Sequence, residues 1–142
     1  MKRILQSTVL AALVFPAVAM ACDGQMHHQA SFEPRKATIA EVATWTKDRS
    51  AVPVDANGQS TRASQGVIPG AVLLTSSSQY SLSELPADRA TRLVFYCANE
   101  KCTASRTAAV RALAHGYVDV SVLPVGISGW RQAGQPTAKP NT

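Results

Sequence analysis

The fold is indicated most clearly by residues 93–117, LVFYCANEKCTASRTAAVRALAHGY. Its first four residues are apolar and β-prone without interruption, as in a strand that is buried on both faces of a sheet. Residues 103–115 are rich in alanine and predict a helix, which Gly116 ends. Cys97 and Cys102 lie in the connection between strand and helix. The stretch therefore predicts a buried strand, a loop that carries two cysteines, and a helix.

The rest of the chain repeats this alternation of strand and helix. Thr38 and Glu41 have the spacing of a capping box, which predicts a helix that ends near Asp48. Short apolar runs predict further strands at residues 52–54, 71–74 and 118–122, and a last short helix at residues 127–133. Apolar strands that alternate with helices are typical of a parallel sheet covered on both faces. We therefore expect an α/β fold.

Composition restricts the classes of protein and partner. The chain has 142 residues, which suits one domain, and 46% of them are hydrophobic while 16% are charged, which suits a packed core. Its 14 basic and 9 acidic residues give a net charge of +5, but the basic residues are scattered. Binding to nucleic acid or to an anionic membrane needs clustered Lys and Arg. We therefore expect neither as the main partner.

The N-terminus has the pattern of a secretory signal. Lys2 and Arg3 precede an apolar stretch at residues 8–20, and small residues precede Cys22. The stretch is shorter than the roughly 20 apolar residues that a membrane span needs. We therefore expect residues 1–21 to be a signal peptide and the mature protein to be periplasmic or secreted, with no integral membrane span. The alternative is a lipid anchor at Cys22.

The mature chain is expected to have three parts. Residues 22–36 predict an irregular N-terminal arm, residues 37–136 the folded domain, and residues 137–142 a disordered tail. The arm contains soft and imidazole ligands within seven residues, which would suit copper: Cys22, Met26, His27 and His28. We prefer the interpretation of an arm without metal, and we expect no cofactor.

Cys97 is the main candidate for chemistry because it directly follows the predicted strand 93–96. Open parallel sheets bind ligands beyond the carboxyl ends of their strands. The helix that follows the loop offers unpaired amides and the positive end of its dipole, and both favour a thiolate. Cys102 lies close enough in sequence for a disulfide in an oxidising compartment. Cys97 is therefore interpreted as a nucleophile, and the alternatives are a structural disulfide with Cys102 or two inert thiols.

Several segments together resemble the single-domain rhodanese-like (sulfurtransferase) family over roughly Thr38 to Pro136. The resemblance depends on their order as well as their content. The segments are Val52-Pro53-Val54-Asp55, Gly66-Val67-Ile68-Pro69-Gly70-Ala71, Phe95-Tyr96-Cys97, Ala108-Ala109, Gly116-Tyr117, Gly126-Ile127-Ser128-Gly129-Trp130 and Ala133-Gly134-Gln135-Pro136.

The resemblance implies a three-layer domain whose mostly parallel sheet has about five strands. It implies that Cys97 accepts a sulfane sulfur as a persulfide and passes it to a thiol or cyanide. Asp55, at the end of a predicted strand, is expected to have a supporting role. Cys102, a second cysteine that departs from the family's loop, is the possible resolving or disulfide partner. The backbone of the loop would hold the anionic sulfur, through Ala98, Asn99, Glu100, Lys101 and Thr103. The implied partners are a small sulfur donor, a thiol acceptor and a periplasmic redox protein.

The sequence departs from the family pattern at three places. Asn57 stands where the family often has an Arg that forms an ion-pair network, and Val67 replaces the usual His. The loop has one cation and one anion instead of several basic residues, so thiosulfate should bind less readily. Arg106 comes too late for a phosphatase with the Cys-x5-Arg motif. We therefore expect a sulfurtransferase or a closely related thiol redox protein, and the alternative is a catalytically inactive binding module with a Cys97–Cys102 disulfide.

Overall fold

The structure, a computed structural model, describes residues 32–140. The elements in chain order are β1 (Arg35–Lys36), α1 (Ile39–Asp48), β2 (Val52–Asp55), α2 (Gln59–Gln65), β3 (Val72–Leu73), a 3-10 turn (Leu82–Glu84), β4 (Leu93–Tyr96), α3 (Ala104–Ala114), β5 (Val120–Leu123) and α4 (Gly126–Gln132). The five strands form one parallel sheet in the order β1-β5-β4-β2-β3. The predicted α/β fold is confirmed. The predicted signal peptide, Cys22, Met26, His27 and His28 lie outside the described residues.

The central strand β4 divides the interior into two cores. Leu93 and Phe95 pack on one face of the sheet, against the alanine-rich side of α3. Val94 and Tyr96 pack on the other face, with Trp130 of α4. This alternation follows from the two-residue period of a strand, and all four side chains are fully buried. The sheet is therefore covered on both sides, as its apolar strands predict.

The first helix begins at the predicted capping box. The Glu41 amide donates to Thr38 Oγ1 at 3.3 Å, and the Thr38 amide donates to Glu41 Oε2 at 2.8 Å. Hydrogen bonds from Thr38 and then from Arg35 lower the pKa of Glu41 to about 2. The box satisfies amide groups that have no partner within the helix, which sets where α1 begins.

Three features differ from the sequence-based expectations. Arg35–Lys36, predicted to lie in the irregular arm, forms β1 beside β5. Helix α2 has no counterpart in the prediction, because only Arg62 among its residues is buried and it has no apolar stripe. Ala138, predicted to lie in a disordered tail, makes an antiparallel bridge with Val67. All three depend on contacts with distant parts of the chain.

Candidate functional site

Cys97 lies at the carboxyl end of β4, where the sequence predicts chemistry. Its side chain continues the alternation of Leu93 and Phe95 and belongs to the core on the α3 side of the sheet. It forms a disulfide with Cys102, and the two Cα atoms are 6.3 Å apart. Cys97 is 1% exposed, whereas Cys102 is partly exposed. Cys97 is therefore covered in this form. Because its sulfur is bonded to Cys102, it could act as a nucleophile only after the disulfide is reduced.

Two oxygen atoms contact the sulfur of Cys97. Ser105 Oγ lies 3.3 Å from Cys97 Sγ, and the carbonyl oxygen of Cys102 lies at the same distance. The hydroxyl of Ser105 can donate a hydrogen bond to a thiolate, whereas the carbonyl cannot. Ser105 is 5% exposed, so this hydroxyl acts in a site that is shielded from water.

The first turn of α4 holds the backbone of the cysteine loop. The amide of Ile127 donates to the carbonyl of Cys97 at 2.8 Å, and the amide of Ser128 donates to the carbonyl of Ala98 at 3.0 Å. Gly126 makes this approach possible. A Cβ atom there would lie 2.5 Å from the carbonyl oxygen of Cys97, and its φ of +61° is one that other residues rarely adopt.

These two bonds orient the next amides of the loop. A trans peptide unit is planar, with its N–H opposite its C=O, so the amides of Ala98 and Asn99 point away from α4. Within residues 32–140, neither amide has an acceptor, nor do those of Glu100 and Thr103. The amide of Lys101 is different, because it donates to Asn99 Oδ1 at 3.0 Å. Four of the five predicted loop residues therefore have an amide without an acceptor in the described part of the chain.

The side chains around the loop provide little net charge. Glu100 and Lys101 are both exposed, and their charges are opposite. Arg106, in the first turn of α3, makes a two-pronged ion pair with Glu33, in which Nε and Oε1 are 3.0 Å apart. The guanidinium therefore does not face the cysteines as a free cation. A groove of 410 Å³ runs beside the contact between the loop and α4. Its lining residues are Asn99, Glu100, Lys101, Val125, Ser128, Gly129 and Gln132.

Asp55 ends the neighbouring strand β2 and is fully buried. Its Oδ1 accepts hydrogen bonds from the Asn57 amide at 2.6 Å and from Arg62 Nε at 3.3 Å. Arg62 Nη2 also donates to the carbonyls of Asp55 and Leu74. An ion pair is therefore present although the family's usual Arg is missing at position 57. Through the Asn57 amide, Asp55 orients its own turn.

Tyr96, the last residue of β4, is linked to the segment between α2 and β3. Its hydroxyl accepts a hydrogen bond from the amide of Ile68 at 3.0 Å. Burial, and then the negative charge of Asp55, raise the pKa of Tyr96 above its ordinary value. Tyr96 is therefore a neutral structural residue immediately before Cys97.

Sequence reasoning missed three residues of this region. Ser105 has a signal, because it shares a helical face with Ala108, Ala109 and Ala112, and a stripe of small residues predicts close packing. Arg62 has a weaker one, since a buried Asp at a strand end needs a cation and α2 offers one. The contact of Gly126 with the Cys97 carbonyl has none, because the residues are far apart in sequence.

Among residues 32–140, no group of three His, Cys, Asp or Glu side chains is arranged to hold a metal ion. In the same part of the chain, no helix combines the length and the apolar character needed to span a bilayer.

Comparison with known families gives one match. The family described as the rhodanese-like domain matches residues 38–133, which include β2, β4, α3 and most of the cysteine-loop environment. The comparison with curated proteins found no match.

Several solved structures are similar in fold. A protein of unknown function from Rhodopseudomonas palustris, described as a possible tyrosine phosphatase, is 25% identical with a TM-score of 0.61, over 74% of this chain and 85% of that chain. The rhodanese-like domain of an Anabaena protein is 18% identical with a TM-score of 0.55, over 74% and 79%. A rhodanese-related protein from Thermoplasma volcanium is 20% identical with a TM-score of 0.53, over 75% and 99%.

Proposed function

The chain belongs to the rhodanese-like domain family, and we propose that it is a sulfur-transfer protein that carries a sulfane sulfur as a persulfide on Cys97. In the same proposal Cys102 is the resolving cysteine. The observation that carries it is the placement of Cys97 at the end of β4, bonded to a second cysteine and followed by a loop in which the amides of residues 98–100 and 103 have no acceptor within the described residues.

The proposed reaction consists of two displacements. The Cys97 thiolate attacks the outer sulfur of a donor and takes this sulfur over as a Cys97 persulfide. The rest of the donor leaves as a thiolate or as sulfite. An acceptor thiolate then attacks the outer sulfur of this persulfide, and Cys97 leaves as a thiolate. When no acceptor is present, the Cys102 thiolate attacks Cys97 Sγ, hydrosulfide leaves, and the disulfide is formed. The disulfide is thus a resting state from which reduction restores the two thiols.

Two features favour negative charge on the sulfur. The free amides of Ala98 and Asn99 and the hydroxyl of Ser105 are hydrogen-bond donors, and donors held in place stabilise a developing anion. The opposite charges of Glu100 and Lys101 give little attraction for a dianion. We therefore propose a persulfide of low charge as the donor, in preference to thiosulfate.

Export would suit this chemistry. The secretory pattern of residues 1–21 is the basis for proposing a periplasmic or secreted protein, and a Cys97–Cys102 disulfide persists in such compartments. A periplasmic redox protein would then return the disulfide to the dithiol.

A second candidate function is a binding module without catalysis. The observation that favours it is the 1% exposure of Cys97 in the disulfide form. A tyrosine phosphatase, suggested by the description of the Rhodopseudomonas protein, has less support. Thr103 occupies the sixth position after Cys97, and the Arg106 side chain is held by Glu33.

Mass spectrometry tests the proposed function. The full chain is reduced, freed of reductant and incubated with cysteine persulfide. We expect one added sulfur atom on Cys97, none there in Cys97→Ser, and a longer-lived adduct in Cys102→Ser because resolution is blocked. A fully reduced Cys102→Ser protein, in which resolution is blocked, that gains no sulfur at Cys97 would support the binding module instead.

A further inference from the structure

The two cysteines of the disulfide are not equally exposed, and from this we infer that a dithiol reductant opens the bond by attacking Cys102 Sγ. The proposed nucleophile, Cys97, is thus the leaving group during reduction. The inference rests on the proposed function in one respect only: there, reduction of the disulfide serves to regenerate the Cys97 thiolate. The sulfur that receives the reductant and the sulfur that receives the substrate are therefore different.

The burial of Cys97 restricts the access of a reductant to the disulfide. A thiolate must approach a disulfide along the S–S axis, from the side opposite the leaving sulfur. Cys97 is 1% exposed and belongs to the core between the sheet and α3, so no thiol can approach its sulfur. Cys102 packs at the edge of that core and remains partly exposed. Attack on the folded protein is therefore restricted to Cys102.

The stability of the departing thiolate also favours attack on Cys102, independently of access. Thiol–disulfide exchange is faster when the departing sulfur is the more stable thiolate. Cys97 Sγ lies 3.3 Å from the Ser105 hydroxyl, which can donate to it as charge develops. Within residues 32–140, Cys102 Sγ has no hydrogen-bond partner of this kind. Departure of Cys97 is therefore favoured over departure of Cys102.

The reduction proceeds in two balanced steps. A thiolate of the reductant attacks Cys102 Sγ, the S–S bond breaks, and Cys97 leaves with the electron pair as a thiolate. The second thiol of the reductant loses its proton and attacks the reductant's own sulfur in this mixed disulfide, and Cys102 leaves as a thiolate. The reductant ends as a disulfide, having supplied two electrons. One monothiol molecule supplies only the first step, so the mixed disulfide that it forms can be trapped by an acid quench at early times, before a second thiol or the Cys97 thiolate displaces it.

The sequence allows the site of attack to be read directly. Trypsin cleaves after Arg92, Lys101 and Arg106, which places Cys97 in the peptide 93–101 and Cys102 in the peptide 102–106. The oxidised full chain carrying Cys22→Ser is treated briefly with glutathione, a monothiol, and quenched in acid. Free thiols are then blocked with N-ethylmaleimide at mildly acidic pH before digestion. The substitution prevents the third cysteine from exchanging with the pair.

We expect glutathione on peptide 102–106 and N-ethylmaleimide on peptide 93–101, in at least about tenfold excess over the reverse pattern at the earliest time, as a 1.4 kcal/mol preference would give. Glutathione mainly on peptide 93–101, or equally on both, would overturn the inference. The same sample unfolded in urea is the control, and there the preference should disappear because both sulfurs are exposed.

The outcome is separable from that of the persulfide experiment. A protein that gains no sulfur on reduced Cys97 but carries glutathione on peptide 102–106 would refute the proposed function and leave this inference standing. A protein that forms the persulfide but carries glutathione on peptide 93–101 would do the opposite.

Discussion

The carboxyl ends of β2 and β4 lie side by side in the sheet, and they use polar groups in opposite ways. At the end of β2, the buried Asp55 carboxylate is held by Arg62 and by the Asn57 amide. At the end of β4, the loop after Cys97 has backbone amides without acceptors in the described part of the chain. Cys97 itself forms a disulfide with Cys102 of this loop.

The difference separates support from chemistry. A buried carboxylate that is paired with a cation and hydrogen-bonded to a backbone amide fixes the local structure around it. Donors that are oriented and unpaired can stabilise a charge that appears during a reaction. The end of β2 is therefore interpreted as a brace, and the end of β4 as the reactive site.

The largest expected effect concerns the brace. Arg62→Met leaves the Asp55 carboxylate buried without its cation, and breaking a buried pair in this way costs about 3–5 kcal/mol of unfolding free energy. Urea denaturation of the oxidised protein measures this loss. Arg131→Met, at an exposed arginine of α4, is the matched control and should stay within about 0.5 kcal/mol of the wild type.

Arg62→Met should not affect the chemistry at the end of β4. Arg62→Met protein that remains folded should therefore form the Cys97 persulfide at the wild-type rate. A folded Arg62→Met protein with full stability and no persulfide would reverse the roles assigned to the two strand ends.

An intermediate effect is expected at the contact between α4 and the cysteine loop. Gly126→Ala adds a Cβ against the Cys97 carbonyl and a strained backbone, at a cost of about 1–3 kcal/mol, and it should also slow persulfide formation by moving the loop. Gly116→Ala is the matched control, since Gly116 has a φ of +88° but nothing within 4 Å of the added Cβ.

Unfolding free energy and persulfide rate are measured for both glycine variants. Both should lose stability, whereas only Gly126→Ala should lose rate. Equal rates in the two variants would show that the position of the loop does not depend on α4.

The smallest expected effect concerns Ser105, which we interpret as a positioning residue for the Cys97 thiolate. Ser105→Ala removes a hydrogen bond worth about 1 kcal/mol, so persulfide formation should slow about fivefold. In a Cys102→Ser background, the midpoint of Cys97 alkylation should move upward by about 0.7 pH units, because the thiolate is stabilised less.

Ser121→Ala is the control for a buried serine. Ser121 is fully buried in β5, and its Oγ has no partner within residues 32–140. Its removal should leave both the rate and the pH profile unchanged, and Ser105→Thr should restore the profile. A Ser105→Ala protein that loses stability but keeps the pH profile would reduce Ser105 to a packing residue.

Much of the fold could be predicted because its signals are local. The apolar run of residues 93–96 and the capping box at Thr38 each declare an element within a few residues, and the structure confirms both. Helix α2 and strand β1 could not be predicted in this way. Arg62 is buried in α2 by contacts with β2 and Leu74, and β1 exists only because β5 lies beside it.

The candidate site shows the same division. The position of Cys97 after a buried strand follows from the strand–loop–helix order, which is a property of neighbouring residues. The choice of Arg62 as the ion-pair partner, the approach of Gly126 to the loop and the contact of Ser105 with the sulfur do not.

The amino-acid sequence by itself determined the parallel α/β class, the family resemblance and the cysteine at the end of the central strand. The tertiary structure decided which of the two cysteines is covered and which is reachable, and which cation neutralises Asp55. The physical reason is that burial periodicity and capping act between near neighbours, whereas exposure and charge pairing depend on how the helices pack onto the sheet.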